Sequence, residues 1–298
     1  MSFFRLLFLS ILLFAFSVVK SQESESSGPV TNEKAFHIGL YLGCYFPNQS
    51  TAHVYDGYGF DFEGNKNSFE NSFMYNKIIL EYGGGYGQTD LIAQSLNVSH
   101  SEWTFDESDM PVNMRYTPSF LVGLNCRYSV DNRNAILFNI NASKITATGN
   151  FTIMTTPQST SGNFGRNIHT FAIKGVEQRL MIQVGYQHLF GENPKINFLT
   201  EGGLNVTMAK FDQNEILINE LYIDLTDNYY QPGYNAYTIR KPIGIGFGAF
   251  AGLGLHMNAT EAWTIQFLYN PSYEGINLVS NATLKFQHSL GLRAYYKL

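Results

Sequence analysis

Six charged residues matter for where they fall: Arg127, Glu177, Arg179, Glu201, Lys285 and Arg293. Each lies on the polar parity of a segment whose other parity is apolar. Glu177 and Arg179 are two residues apart, so an extended chain puts both on one face. If that face looks into a narrow interior, the charges must pair, because an isolated buried charge is costly. The chemistry they offer is a structural salt-bridge network; the alternative is a polar gate or solute path. Enzyme signatures are absent: no G-x-S-x-G, H-E-x-x-H or phosphate loop occurs. No enzymatic activity, cofactor or metal is expected. His188 and His288 lie on the apolar parity with no serine or acid at useful spacing, and read as interfacial residues. Asp61, Glu63 and Asn65, and the acids between Asp106 and Asp109, could offer oxygens to Ca²⁺. Neither group has EF-hand spacing, so both are read as solvated acidic loops.

The segments that carry the six charges alternate with period two. Phe36–Phe46 puts Phe36, Ile38, Leu40, Leu42, Cys44 and Phe46 on one face. Met114–Val130 sets Phe120, Val122, Leu124, Cys126 and Tyr128 against Gly123, Asn125, Arg127 and Ser129. Further runs begin near Ala135, Ile168, Ile196, Ile243 and Trp263, and a last one ends at Leu298. The last run opposes Leu290, Leu292 and Tyr296 to Ser289, Gly291 and Arg293. Alternation of this kind marks strands with one apolar and one polar face. That makes about eight long strands. The run from Ile243 carries a row of glycines, Gly244, Gly246, Gly248, Gly252 and Gly254, broken by Phe250. It reads as room for long side chains of opposite strands; the other reading is a groove for a ligand or a folded-in segment.

Composition agrees with β structure. Aromatic residues are 15 % of the 298, charged residues only 14 %, and 27 are glycine. A formal net charge of -5 and the lack of a basic cluster argue against nucleic acid as a partner. Residues 1–21 read as a cleaved signal peptide: one early cation, Arg5, then an apolar core from Leu6 to Val19, too short for a spanning helix. Residues 22–35 read as a flexible leader. Short connectors, Asp131–Asn134, Gly191–Lys195 and Asn258–Glu261, alternate with long ones, 47–112, 157–167 and 212–236. In an eight-stranded ring every short connector falls at one end and every long one at the other. The polar parity mixes small residues with a few charges of both signs, unlike a surface in bulk water. Aromatics near strand ends on the apolar parity (Phe46, Tyr128, Tyr186, Phe198, Trp263, Tyr296) resemble interfacial girdles. The apolar face is therefore placed outward, against lipid.

With those features the chain resembles the eight-stranded outer-membrane β-barrel proteins of Bacteroidota, of OmpA- and OmpX-like architecture. The fold so implied is an all-β, antiparallel, up-and-down transmembrane barrel over residues 36–298, with short periplasmic turns and long extracellular loops. Ser289, Gly291 and Tyr296 are similar to the last-strand signal of such proteins, although Ala294 stands where an aromatic is usual and Leu298 replaces a final phenylalanine. The resemblance implies membrane lipid around the barrel and contact with the barrel-assembly machinery through the C-terminal strand. It also implies an outer-membrane location. The function expected is a non-enzymatic envelope or surface-binding role, with an extracellular or envelope protein as partner. The alternatives are a narrow channel or transporter for small solutes, or an accessory component of a secretion system.

The insertion 47–112 is too long for a plain loop, and such segments are usually functional. It is expected to cover the barrel mouth or dip into it. Ile78–Leu80 is read as a short strand ending in the glycine turn that follows, and Thr89–Asn97 as a short helix capped by Thr89 or Asp90. An even cysteine count in an exported chain usually signals a disulfide. Here Cys44 lies near the outer end of its strand and Cys126 near the opposite end of the next, so no bond is expected, because bonding needs Cα atoms within roughly 7 Å. Non-reducing mass spectrometry of the purified protein should find both thiols free; an intact Cys44–Cys126 link would overturn the strand directions.

Overall fold

The apolar–polar alternation closes on itself. The computed structural model describes residues 34–61, 63–85, 89–156, 165–191, 193, 195–227, 241–279 and 283–298. The expected signal peptide and most of the leader lie outside the described residues, as do parts of the long connectors at 157–167 and 212–236. Eight long strands pair as a ring: β1 (Ala35–Phe46), β4 (Ser119–Ser129), β5 (Asn134–Thr155), β6 (Asn167–Phe190), β7 (Ile196–Ile218), β9 (Ile243–Asn258), β10 (Trp263–Asn277) and β11 (Lys285–Lys297). β11 pairs back with β1, and every pairing is antiparallel. Three short strands, β2 (Trp103–Thr104), β3 (Arg115–Tyr116) and β8 (Leu221–Asp224), add to the rim of β5 and β7. No helix among the described residues is long and apolar enough to cross a membrane.

Sidedness follows parity. Leu40, Leu42, Val184, Leu204, Phe247 and Leu292 point outward with 52 % to 70 % of their surface exposed. Asn125, Asn139, Gln183, Gln187, Thr207 and Arg293 are buried inside. Five of the six expected girdle aromatics lie at the short-turn end, where Trp263 and Tyr296 meet at 5.2 Å between ring centroids. Phe46 lies at the long-loop end, where Tyr273 and Phe286 meet at 4.7 Å. Cys44 faces Phe120 across β1 and β4, while Cys126 faces Ile38, and both thiols are free. Six strand positions separate the two levels, about 20 Å at a rise of ~3.3 Å per residue.

Strand lengths are unequal, and the inequality builds a second layer. A tilted membrane strand needs about 9–11 residues. β5, β6 and β7 have 22, 24 and 23. In their far halves the sidedness inverts. On β5 the outward row changes from Ile136, Phe138 and Ile140 to Lys144, Thr146, Thr148 and Asn150, while the inward row changes from Asn139, Asn141 and Ser143 to Ile145, Ala147, Phe151 and Ile153. β6 does the same, with Lys174 outward and Phe171 and Ile173 inward. A strand that is polar outside and apolar inside belongs in water with a protein core behind it. Opposite Val176/Glu177 the β6–β7 register shifts, leaving Asp212 as the extra residue of a bulge. There Asp212 accepts from Gln178 at 3.0 Å and lies 3.9 Å from Lys144, in the charged belt where the inversion occurs. A bulge re-aims the chain, and this one restores inward parity to Asn214, Ile216 and Ile218.

The insertion fills the concave face so formed. Ala52, Val54, Tyr55, Phe73, Met74, Ile78, Ile92, Phe105 and Met110 pack with Ile145, Phe151, Ile173, Phe211, Ile216 and Ile223 in one core. Leu91–Leu96 is helical with Asp90 as its cap, accepting from the Ala93 N–H at 2.9 Å. The strand expected at Ile78–Leu80 is instead part of a π-helical turn, Asn76–Glu81. Burying Ile78 in the lobe core while Lys77 pairs with Glu81 at 2.8 Å one turn on satisfies that stretch better than an unpaired strand would. The glycine turn that follows lies partly outside the described residues.

The inversion sets opposite tolerances on one outer surface. Leu204→Arg, low on β7, is expected to cost about 2–4 kcal/mol of folding stability in lipid vesicles. Asn150→Arg, outward on the far half of β5, is expected to stay within about 0.5 kcal/mol. Urea titration of both variants in vesicles checks this; equal costs would place both positions in the same solvent.

Candidate functional site

The lumen holds two charge clusters built to one plan. Towards the long loops, Arg179 Nε donates to Glu177 Oε1 at 2.6 Å, with both side chains essentially without solvent exposure. Towards the short turns, Arg293 donates to both oxygens of Glu201, at 2.9 and 3.3 Å. Each pair reaches one further charge through a glutamine. Gln287 accepts from Arg179 at 2.6 Å and donates to Glu274 at 2.6 Å. Gln187 accepts from Arg127 Nε at 2.9 Å and donates to Glu201 at 3.3 Å. An amide can do this because its oxygen takes a cation's proton while its nitrogen gives one to an anion.

The aromatic and hydroxyl surroundings differ between the two. Tyr45 and Tyr116 flank Arg179, with ring centroids 5.7 and 5.3 Å from its Cζ, and Tyr41 and Tyr295 flank Arg293 at 5.7 and 5.9 Å. Around Glu177 the partners come from the surface lobe and the segment joining it to β4. Tyr116 donates to it at 2.5 Å and Tyr55 at 3.3 Å, while Arg179 donates to Thr51 at 3.2 Å. Tyr55 also stacks on Phe211 at 4.7 Å, and its ring lies against Gly175, where a Cβ would overlap it. The outer cluster therefore ties the insertion to the barrel wall.

Five of the six charges singled out from parity are inward and buried, namely Arg127, Glu177, Arg179, Glu201 and Arg293. They do not form one network; no hydrogen bond among the described residues joins the two clusters. Lys285 must be corrected. It has the inward parity but is the first residue of β11, exposed at the rim where no wall surrounds it. The residue missed is Glu274, its cross-strand partner in register, which is buried and accepts from Asn205 and Thr207 at 2.5 Å each. Pro271 obscured it: a proline reads as the end of a strand, yet β10 continues past it to Asn277.

The glycine row of β9 makes room for neighbouring, not opposite, strands. A Cβ at Gly252 would come within 2.5 Å of Glu201 Cγ, and one at Gly248 within 2.5 Å of Glu274 Cβ. Both carboxylates that the glutamines bridge thus fold over glycine, which leaves no groove there for a ligand. Phe250 crosses to β6, where a Cβ at Gly185 would lie 2.7 Å from its ring.

Elsewhere the candidate residues are local. His188 and His288 are bonded to Asn134 and to the Tyr269 hydroxyl at 2.7 Å each. Asp61 closes its own turn, accepting from the backbone of Glu63 and Asn65 at 2.9 and 2.8 Å; the Asn65 side chain first, then those backbone bonds, hold its carboxyl below the usual range. Asp109 bonds Thr152 and the Asp106 N–H. No cluster of three metal-binding side chains occurs among the described residues. The described residues also line two wide, open cavities. One of 570 Å³ indents the outer wall between Pro118–Val122 and Ala142–Thr146. The other, of 520 Å³, is the mouth at the short-turn end.

No protein-family model and no curated protein matches the chain. Among solved structures it is similar to Neisserial surface protein A (9 % identity, TM-score 0.40, covering 89 % of this chain and 100 % of that one). It is also similar to the outer membrane protein OprG from Pseudomonas aeruginosa (8 % identity, TM-score 0.38, 90 % and 97 % covered). A third is Ail, the attachment invasion locus protein of Yersinia pestis (11 % identity, TM-score 0.33, 89 % and 99 % covered). The barrel assignment rests on this chain's own closed strand pairing.

Removing one partner of a buried pair leaves the other uncompensated. Arg293→Met is expected to destabilise the barrel by about 3–5 kcal/mol, and adding Glu201→Gln to recover a large part of that loss. Unfolding of the single and double variants in detergent micelles measures the coupling; additive effects would show that the pair is not isolated from water.

Proposed function

We propose that this protein is a non-enzymatic outer-membrane β-barrel that works as a rigid mount for a surface-binding lobe. The lobe comprises the insertion 47–112 and the far halves of β5, β6 and β7. The observation that carries this reading is the inversion of sidedness on those strands, since it marks a folded, water-facing body continuous with a lipid-facing wall. The closed lumen supports it. Side chains fill the interior of an eight-stranded barrel, and here Arg179, Gln287, Tyr45 and Tyr116 cross it beneath the lobe. On this reading the long loops face outside, the short turns face the periplasm, and the last strand engages the assembly machinery. The partner is an extracellular or envelope protein.

A second reading, a route for small solutes, draws on the wall cavity beside Phe120 and Val122, whose lining includes Lys144 and Arg179. Planar-bilayer recording separates the two. The purified protein is expected to insert without conductance steps, whereas reproducible unitary steps would favour the channel. Protease shaving of intact cells should cut within 47–112 or 212–236, and recovery of the protein as a soluble periplasmic species would end the membrane reading.

A further inference from the structure

Charge is not evenly divided along the lumen. The cluster at the long-loop end has two carboxylates, Glu177 and Glu274, against one guanidinium, Arg179. The cluster at the short-turn end has one carboxylate, Glu201, against two guanidiniums, Arg293 and Arg127. Glu201 is already held by Arg293 through both oxygens. Arg127 is 5 % exposed, yet no carboxylate of the described residues lies within ion-pair distance of it. Only its Nε is engaged, by Gln187; its terminal nitrogens have no hydrogen-bond partner among the described residues. A buried guanidinium in that condition calls for an anion.

The space for one is present. Arg127 lines the 520 Å³ mouth cavity together with His37, His256, Asn258, Lys195 and Lys297. His37 is 7 % exposed, and its Nδ1 is buried with no partner. His256 is fixed between Gln266 at 3.0 Å and Asn258 at 3.1 Å, so it forms wall. Two acids, Asp131 and Glu261, share the lining. Asp131 is occupied by its own turn: the Asn134 side chain and the Arg133 N–H hold its carboxyl below the usual range and keep it from turning inward.

We propose that the short-turn mouth is an oxyanion-binding site that takes a phosphate group against the free edge of the Arg127 guanidinium. The phosphate is either free or the end of a larger molecule. A guanidinium presents paired N–H groups that match two phosphate oxygens. His37, Lys195 and Lys297 line the same cavity. The site is independent of the surface lobe and of what the lobe binds.

Titration calorimetry of the full mature chain, folded in detergent, tests this with two probes, inorganic phosphate and glycerol phosphate. Saturable binding of either is expected. If inorganic phosphate alone binds, the group taken is free; if glycerol phosphate binds as well or better, it is the end of a larger molecule. Arg127→Gln should weaken binding by about tenfold or more, the loss of a charge-assisted pair of hydrogen bonds. His37→Gln should weaken it less, and Lys144→Gln, at the other end of the barrel, not at all. Heat-modifiable gel migration reports folding of each variant. If Arg127→Gln does not fold, His37→Gln decides. No saturable binding of either probe overturns the proposal, as does unchanged affinity in whichever of these two variants folds.

Discussion

An eight-stranded ring encloses just enough space for side chains. Every polar group sent inward must therefore find its partner among other side chains. That constraint explains the form of the lumen better than any single pair does. Arg179 and Arg293 each take a carboxylate directly, and Gln287 and Gln187 extend each pair to a third charge. Bulk is the other half of the constraint. Two guanidiniums with flanking tyrosines fit only because the adjoining strand is nearly bare, and the glycines of β9 lie where Glu201 and Glu274 fold across. Charge pairing and glycine placement are one solution to one packing problem.

The same constraint changes where the wall leaves the lipid. Inside the membrane the strands must be apolar outward, so the lumen inherits the polar residues. Above it water takes over the outer face, and the inner row is released to build an ordinary apolar core. Asp212 lies at the changeover as the extra residue of a bulge, tied to Gln178 and close to Lys144. Because the lobe core and the outer charge cluster share Tyr55 and Tyr116, and Thr51 of the insertion accepts from Arg179, lobe and barrel are one mechanical body. On the proposed surface-binding reading, an element so mounted presents a fixed shape, which lowers the ordering cost of binding a partner.

Much of this was legible in the sequence, since period-two alternation reports which face a residue takes wherever a wall exists. It placed Arg127, Glu177, Arg179, Glu201 and Arg293 inward without any knowledge of pairing. It failed where local pattern and three-dimensional context part. Lys285 keeps the right parity one position too far, at a rim with no interior. Glu274 lies beyond Pro271, which as an isolated signal ends a strand but here occupies the outward parity of one that continues. The inversion on β5 is written in the sequence as Lys144, Thr146 and Thr148 opposite Ile145 and Ala147. Alternation alone has no sign, however: it says that two faces differ, not which solvent each one meets. The turn at Asn76–Glu81 was lost for a similar reason, since a short apolar run does not distinguish strand from helix.

The two lumen clusters also bear on each other. They share a plan yet carry opposite excess: one unmatched carboxylate towards the long loops, one unmatched guanidinium towards the short turns. Summed over the lumen the six charges cancel, but they are not placed to cancel locally. Glu274 meets its excess with neutral donors, Asn205, Thr207 and Gln287, which supply three hydrogen bonds to one carboxylate. Arg127 has one such bond and an open cavity. A carboxylate can be satisfied by amides and hydroxyls that stay within the wall. A guanidinium has five donors in a plane and needs acceptors along more than one edge. With Glu201 committed to Arg293, the remaining acceptors for Arg127 must come from the mouth side. The asymmetry between the ends thus follows from how the two ionic groups are satisfied: the excess carboxylate is met within the wall, and the excess guanidinium faces an open cavity.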